Sequence, residues 1–115
     1  MGSVVLDTSE PGVAIVSLEG EHELYSATKL QRRLRELIGK DVGIVVDLSR
    51  ATFLDSSIVS VLIQTRDEAR AAGTPFSIVI DDTTGESVRR MFEVTGLSSI
   101  LPIVSSREAA LSRAG

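Results

Sequence analysis

Ile44-Val45-Val46-Asp47-Leu48, then Ser49-Arg50-Ala51-Thr52, then Phe53-Leu54-Asp55-Ser56-Ser57, is the stretch on which the fold of this chain turns. A strand with one wet face alternates apolar and polar residues. A nearly continuous apolar run instead marks a strand covered on both faces, so Ile44 to Leu48 is expected at the centre of a sheet. Phe53-Leu54 follows after the short Ser-Arg-Ala-Thr loop. Asp55-Ser56-Ser57 then supplies three consecutive side chains of the kind that accept hydrogen bonds from free amides at a helix start. Ile58, Leu62, Thr65, Ala69 and Ala72 recur at helical spacing up to Gly73 and Pro75, which predicts a helix beginning at the serine pair.

Working outward, Ala27, Leu30, Leu34, Leu37 and Ile38 make the apolar stripe of an amphipathic helix from Ser26 to a stop at Gly39, with Lys29, Arg32, Arg33, Arg35 and Glu36 on its other side. Before it, Val4-Val5-Leu6 and Val13 to Leu18 flank Glu10-Pro11-Gly12 and read as an opening hairpin. After the central helix, Phe76 to Ile80 reads as a strand. Thr83-Thr84-Gly85-Glu86 places Glu three residues after Thr, the reciprocal capping pattern, ahead of a helix reaching Val94 and stopped at Gly96. Ile100-Leu101-Pro102-Ile103-Val104 reads as a last strand. Its proline cannot donate to a ladder, which assigns it to an edge or a strand start. Ser105-Ser106-Arg107-Glu108 opens a terminal helix. The order ββαβαβαβα implies an α/β fold with a mostly parallel sheet of about five strands, antiparallel at the first hairpin, and about four helices. Leu30, Leu34, Leu62 and Met91 are expected on the buried helix faces, against a core shared by Val45, Val46, Ile78 and Val79.

The 115 residues carry 12 basic and 16 acidic side chains, a net charge of −4, with one Tyr, three Phe and no Trp. Neither a positive field for phosphates nor platforms for base stacking follow from this, so nucleic acid is not an expected partner. The absence of cysteine removes disulfides, thiolate zinc sites and a cysteine nucleophile. Met1-Gly2-Ser3-Val4 lacks the basic-then-apolar pattern of a signal peptide, and no run of apolar residues reaches membrane-spanning length. The expectation is a single domain over residues 1–115, cytoplasmic, without membrane insertion. Scaling from a mass of 12.3 kDa gives a folded surface of roughly 6,100 Å², so about two thirds of the unfolded surface is buried and an independent core is feasible.

Little in the chain suggests catalysis. His22 is the only histidine and has no evident triad or zinc partners, so it is read as a surface or interface residue. No phosphate-cradling glycine loop is present. Asp55 lies just past a central strand, where open parallel sheets place ligands. A phospho-accepting aspartate would need an early acidic pair for Mg²⁺ and a late lysine, but the only lysines, Lys29 and Lys40, both precede it. The adjacent serines have two readings. They cap the helix, or a hydroxyl at the positive end of the helix dipole accepts a phosphate that alters the surface without disturbing the fold. From the residues alone both stand.

Phe53-Leu54-Asp55-Ser56-Ser57 resembles the Phe-Met/Leu-Asp-Ser-Ser segment of the anti-sigma factor antagonists of the STAS-domain family. Gly20-Glu21-His22-Glu23 is similar to that family's Gly-Glu-Leu-Asp segment. Val45-Val46-Asp47-Leu48 is similar to its central strand, and Val88 to Leu97 to its late helix and Gly-Leu ending. The likeness covers essentially the whole chain and implies the STAS fold. It also implies a function: binding an anti-sigma factor that is itself a serine protein kinase, thereby freeing a sigma factor, with phosphorylation at Ser56 switching the binding off and a phosphoserine phosphatase reversing it. Carried over position by position, Ser56 is the phosphosite. The partner-binding surface comprises Glu21 and Glu23 of an acidic loop, with Asp55, Ser56, Ser57 and Ile58. No catalytic residue, metal ligand or cofactor is implied. Two positions depart from the family pattern. Ile58 stands where glycine is usual, which predicts bulk beside the phosphosite that excludes a closely approaching kinase or retunes docking. His22-Glu23 replaces Leu-Asp. The alternative within the same family is a scaffold component of a stress-sensing assembly or an accessory subunit of a lipid transporter, with Ser56 serving only as a cap.

Overall fold

The computed structural model describes residues 2–114. Met1 and Gly115, which the expected domain and N-terminal reading included, lie outside the described residues. Ile44, Val45 and Val46 are buried without exception, because their strand is both central and sandwiched. This strand, β3 (Gly43–Asp47), lies between β2 (Val13–His22) and β5 (Phe76–Val79), both parallel to it. At one edge β1 (Ser3–Asp7) pairs antiparallel with β2, and at the other β6 (Ile103–Val104) pairs parallel with β5. A further strand, β4 (Ala51–Leu54), pairs only with the end of β2. The helices are α1 (Leu24–Leu37), α2 (Ser56–Ala72), α3 (Glu86–Val94), the single turn α4 (Leu97–Ile100) and α5 (Arg107–Ala114). The mixed, mostly parallel sheet expected from the sequence is therefore present, with six strands and five helices among the described residues.

Strand side chains alternate between faces, and this divides the core that the sequence reading treated as shared. Val46 and Ile78 join Leu30, Leu34, Leu62, Val88 and Phe92 under α1, α2 and α3, with Met91 half-buried at the rim. Val45 and Val79 point the other way and pack with Val13, Ile15 and Ala110 under α5.

Three further expectations change. The Ser-Arg-Ala-Thr loop already enters a strand at Ala51, since the tail of β2 offers Gly20, Glu21 and His22 as a parallel partner. The last strand shortens to Ile103–Val104 because Leu97 to Ile100 coils; Pro102 sits just before the strand, and its carbonyl accepts from the Ile78 amide at 2.9 Å. The capping box at Thr83 does not form. Gly85 is the N-cap of α3, with no side-chain cap. The Thr83 hydroxyl lies 2.6 Å from an Asp81 carboxylate oxygen and 3.1 Å from the Ser49 carbonyl. That loop is pressed onto β4: the Gly85 amide donates to the Ala51 carbonyl at 2.9 Å, and a Cβ at Gly85 would stand 2.8 Å from Thr52 Cα. Contact with β4 wins over the local capping pattern.

Candidate functional site

The functional candidates assemble where β2 and β4 end. Their parallel pairing matches Glu21 with Phe53 and His22 with Leu54, and the Asp55 amide continues the ladder by donating to the His22 carbonyl at 3.2 Å. The following residues, Glu23 and Asp55, are the N-caps of α1 and α2. Two helices thus start side by side, and Gln31–Gln64 and Arg35–Glu68 contacts at 2.9 and 3.3 Å tie their flanks together. Segments about thirty residues apart in the chain, Glu21 to Tyr25 and Phe53 to Ser57, become one surface.

Asp55 caps α2 in the manner expected. Its carboxylate accepts from the Ser57 amide at 3.0 Å and from the Ser57 hydroxyl. These bonds, that of the hydroxyl first, hold the Asp55 carboxyl below its ordinary pKa, and the Ile58 amide adds to them. The two serines are therefore not equivalent. Ser57 is half-buried and committed to Asp55. Ser56 is the first residue of α2 and exposed, and no hydrogen bond among the described residues takes its hydroxyl.

Ile58 does not stand beside that hydroxyl. It is fully buried, on the α2 face that also carries Val61, Leu62, Thr65 and Ala69. Its expected role as surface bulk or as a docking contact is therefore corrected: three residues past the cap, the helix has turned its face inward. His22 is corrected as well. It is fully buried, not a surface residue, and its Nε2 donates to the Glu19 carbonyl at 2.9 Å, leaving Nδ1 unpartnered among the described residues. The cause lies in β2. Gly20 has φ +85° and the register with β4 shifts between Gly20 and Glu21, which turns Glu21 outward and His22 inward. The Glu21 to Glu23 segment, read as a loop, is a strand end followed by a helix cap.

The sequence reading passed over the apolar part of this surface. Leu24 is 69% exposed, Tyr25 76% and Phe53 41%. Leu24 and Tyr25 precede the buried stripe of α1, and that offset was the available signal. Phe53 faces outward because Leu54, its neighbour in the pleat, faces the core. Acidic Glu21 and Glu23 thus flank exposed apolar side chains next to an exposed serine hydroxyl, and exposed apolar side chains rimmed by polar ones are a feature of protein-binding surfaces.

Comparison with known proteins bears on the family and the fold. The chain is similar to the anti-sigma-F factor antagonist RsfB of Mycobacterium tuberculosis, 28% identical over 102 residues, 88% of this chain and 80% of that protein. The structure resembles that of an anti-sigma factor antagonist from Mycobacterium paratuberculosis, with TM-score 0.83, 25% identity, and coverage of 99% of this chain and 94% of that one. It also shares its fold with the Bacillus cell fate determinant SpoIIAA in the phosphorylated form, with TM-score 0.68, 19% identity, and coverage of 93% and 96%. The family model of the STAS domain matches residues 6–110, and the chain belongs to that family.

Proposed function

We propose that this protein is an anti-sigma factor antagonist, a single STAS unit that acts by binding and is switched at Ser56. In the unphosphorylated form it docks an anti-sigma factor with serine kinase activity through the joined starts of α1 and α2, and a sigma factor is released. The observation that carries the reading is the contrast between neighbours: Ser56 exposed and uncommitted, Ser57 bound to the cap. The similarity to proteins named as anti-sigma factor antagonists supports the choice of partner.

The physics of the switch follows from position. A phosphate at the first residue of a helix meets free amides and the positive dipole end, so the fold tolerates it. On the outer surface the same group adds nearly two negative charges beside Asp55 and the apolar Leu24, Tyr25 and Phe53. A docked partner would have to desolvate that dianion, which weakens its grip. Incubation with the anti-sigma factor kinase and ATP, followed by mass spectrometry, should place one phosphate on Ser56 and none on Ser57. Calorimetry should then show weaker binding of the phosphorylated form. Equal affinity of the two forms, or phosphate at Ser57 alone, would refute the proposal.

A further inference from the structure

A groove of about 820 Å³ runs between β1 and α1, lined by Gly2, Ser3 and Val4 on one side and by Tyr25, Lys29, Arg32 and Arg33 on the other. We infer that it binds an extended acidic peptide segment of a partner protein, added as a strand to the free edge of β1. The groove shares Glu21, Glu23 and Tyr25 with the surface proposed to dock the anti-sigma factor, but the inference goes beyond that reading and does not rest on phosphorylation at Ser56.

The first support is the state of the edge. Among the described residues β1 pairs with β2 alone, so its outer side offers backbone N–H and C=O groups without a strand partner. Natural edges are usually blunted by lysine, proline, a bulge or a cover. Ser3-Val4-Val5-Leu6-Asp7 has neither lysine nor proline and pairs with β2 in an unbroken register, and Val5 and Leu6 are 44% and 37% exposed. An edge left open in this way is a template for strand addition.

The second is charge. Tyr25, Lys29, Arg32 and Arg33 follow one another at i, i+4, i+7 and i+8 and share one side of α1. Lys29 Nζ lies 4.9 Å from the centre of the Tyr25 ring. Among the described residues Lys29 and Arg32 form no ion pair, and Arg33 reaches Glu36 only at 4.0 Å, whereas Arg35 on the neighbouring side is paired with Glu68 at 3.3 Å. In a chain of net charge −4 this wall is a local excess of cations facing an open strand edge. A strand added to β1 would direct every second side chain toward the helix, and acidic residues there meet the cations. A second copy is a poor occupant, because its own β1 would bring a single carboxylate, that of Asp7. Glu21 and Glu23 also line the groove, and their negative charge disfavours a continuous polyphosphate backbone.

The probe is a capped hexapeptide of alternating Glu and Val, titrated into the isotope-labelled protein, with a Lys-Val hexapeptide as control. The Glu-Val peptide should shift amide signals of Gly2 to Asp7 and of α1, slow hydrogen exchange along β1, and change the emission of Tyr25, the only tyrosine in a chain without tryptophan. Its affinity should fall with salt and drop by about tenfold or more in a Lys29→Glu, Arg32→Glu, Arg33→Glu variant. These side chains are exposed, and an unchanged thermal midpoint would show that the variant folds. The inference is overturned if millimolar peptide leaves β1 unperturbed, if the Lys-Val peptide binds equally well, or if charge reversal leaves the affinity intact. Shifts confined to α1 without slowed exchange on β1 would mean ion binding alone, and protection of β1 that rises with protein concentration in the absence of peptide would mean self-pairing; either overturns it.

Discussion

One face of the sheet is packed under α1, α2 and α3 through Leu30, Leu34, Ile58, Leu62 and Phe92, all essentially inaccessible to water. The opposite face carries α5, whose apolar contribution centres on Ala110 and whose first residue is held by charge. Arg107 Nε donates to Asp47 at 2.5 Å and Nη2 donates to the Ser17 hydroxyl at 3.1 Å, while Nη1 lies 3.8 Å from Asp7. Asp47 is only 3% exposed. Burial scales with apolar area and tolerates no holes, whereas a half-exposed ion pair contributes little net stability but makes loss of one partner costly. The face that builds the candidate site is the one held by packing. That is why the start of α2 can carry an exposed serine and a negative modification without depending on them for its position.

The largest expected effect tests the packed face. Ile58→Gly removes a buried side chain and adds glycine to a helix, so unfolding in urea should show a loss of about 3–6 kcal/mol; Leu62→Ala should lose about 2–5 kcal/mol. Wild-type stability in Ile58→Gly would break the assignment of this residue to the core, and faster phosphorylation of Ser56 in a stable variant would restore it to the surface. On the opposite face, Arg107→Met leaves the Asp47 carboxylate buried without its partner and should cost about 1–3 kcal/mol. Replacing both groups, with Arg107→Met and Asp47→Leu together, should recover much of that loss. If the double variant is no better than the single one, the ion pair is not what makes the second face sensitive.

Smaller effects sharpen the contrast at the helix start. Asp55→Ala removes a cap and should cost about 1 kcal/mol at neutral pH. The folded protein holds this carboxyl below its ordinary pKa, chiefly through the Ser57 hydroxyl. Its contribution is therefore complete above the unfolded value near pH 4 and is lost as pH falls through the depressed native value. Thermal melts of wild type and Asp55→Ala should differ most at neutral pH and converge in strong acid; a constant gap would mean that the charge is not involved. The smallest effect on stability belongs to Ser56→Asp, expected within about 0.5 kcal/mol of wild type, although binding to the anti-sigma factor should weaken. A large loss of stability there would make Ser56 a structural residue.

Hydrophobic patterning carried most of the fold. The continuous burial of Ile44 to Val46, the stripe of α1 and the Asp55 cap were legible because each is a local consequence of period or side-chain chemistry. The misreadings share a different cause. Thr83 to Glu86 has the letters of a capping box, yet the loop is recruited to the edge of β4. Ser49 to Thr52 has the letters of a loop, yet Ala51 finds a partner in a strand tail about thirty residues earlier. His22 has the polarity of a surface residue, yet a register shift beside Gly20 turns it inward.

For the candidate site the division is equally physical. The sequence by itself determined that a helix starts at Asp55-Ser56-Ser57, because capping is decided by bonds spanning two or three residues. It also determined that the chain is acidic and without cysteine. Only the tertiary structure decided that Ser56 is free while Ser57 is engaged, that Ile58 lies in the core, and that Glu23, Leu24 and Tyr25 stand beside Phe53. Those outcomes depend on the parallel pairing of β2 with β4. Such pairing links residues distant in the chain through backbone hydrogen bonds that every residue type but proline can donate, so no local pattern of side chains announces it.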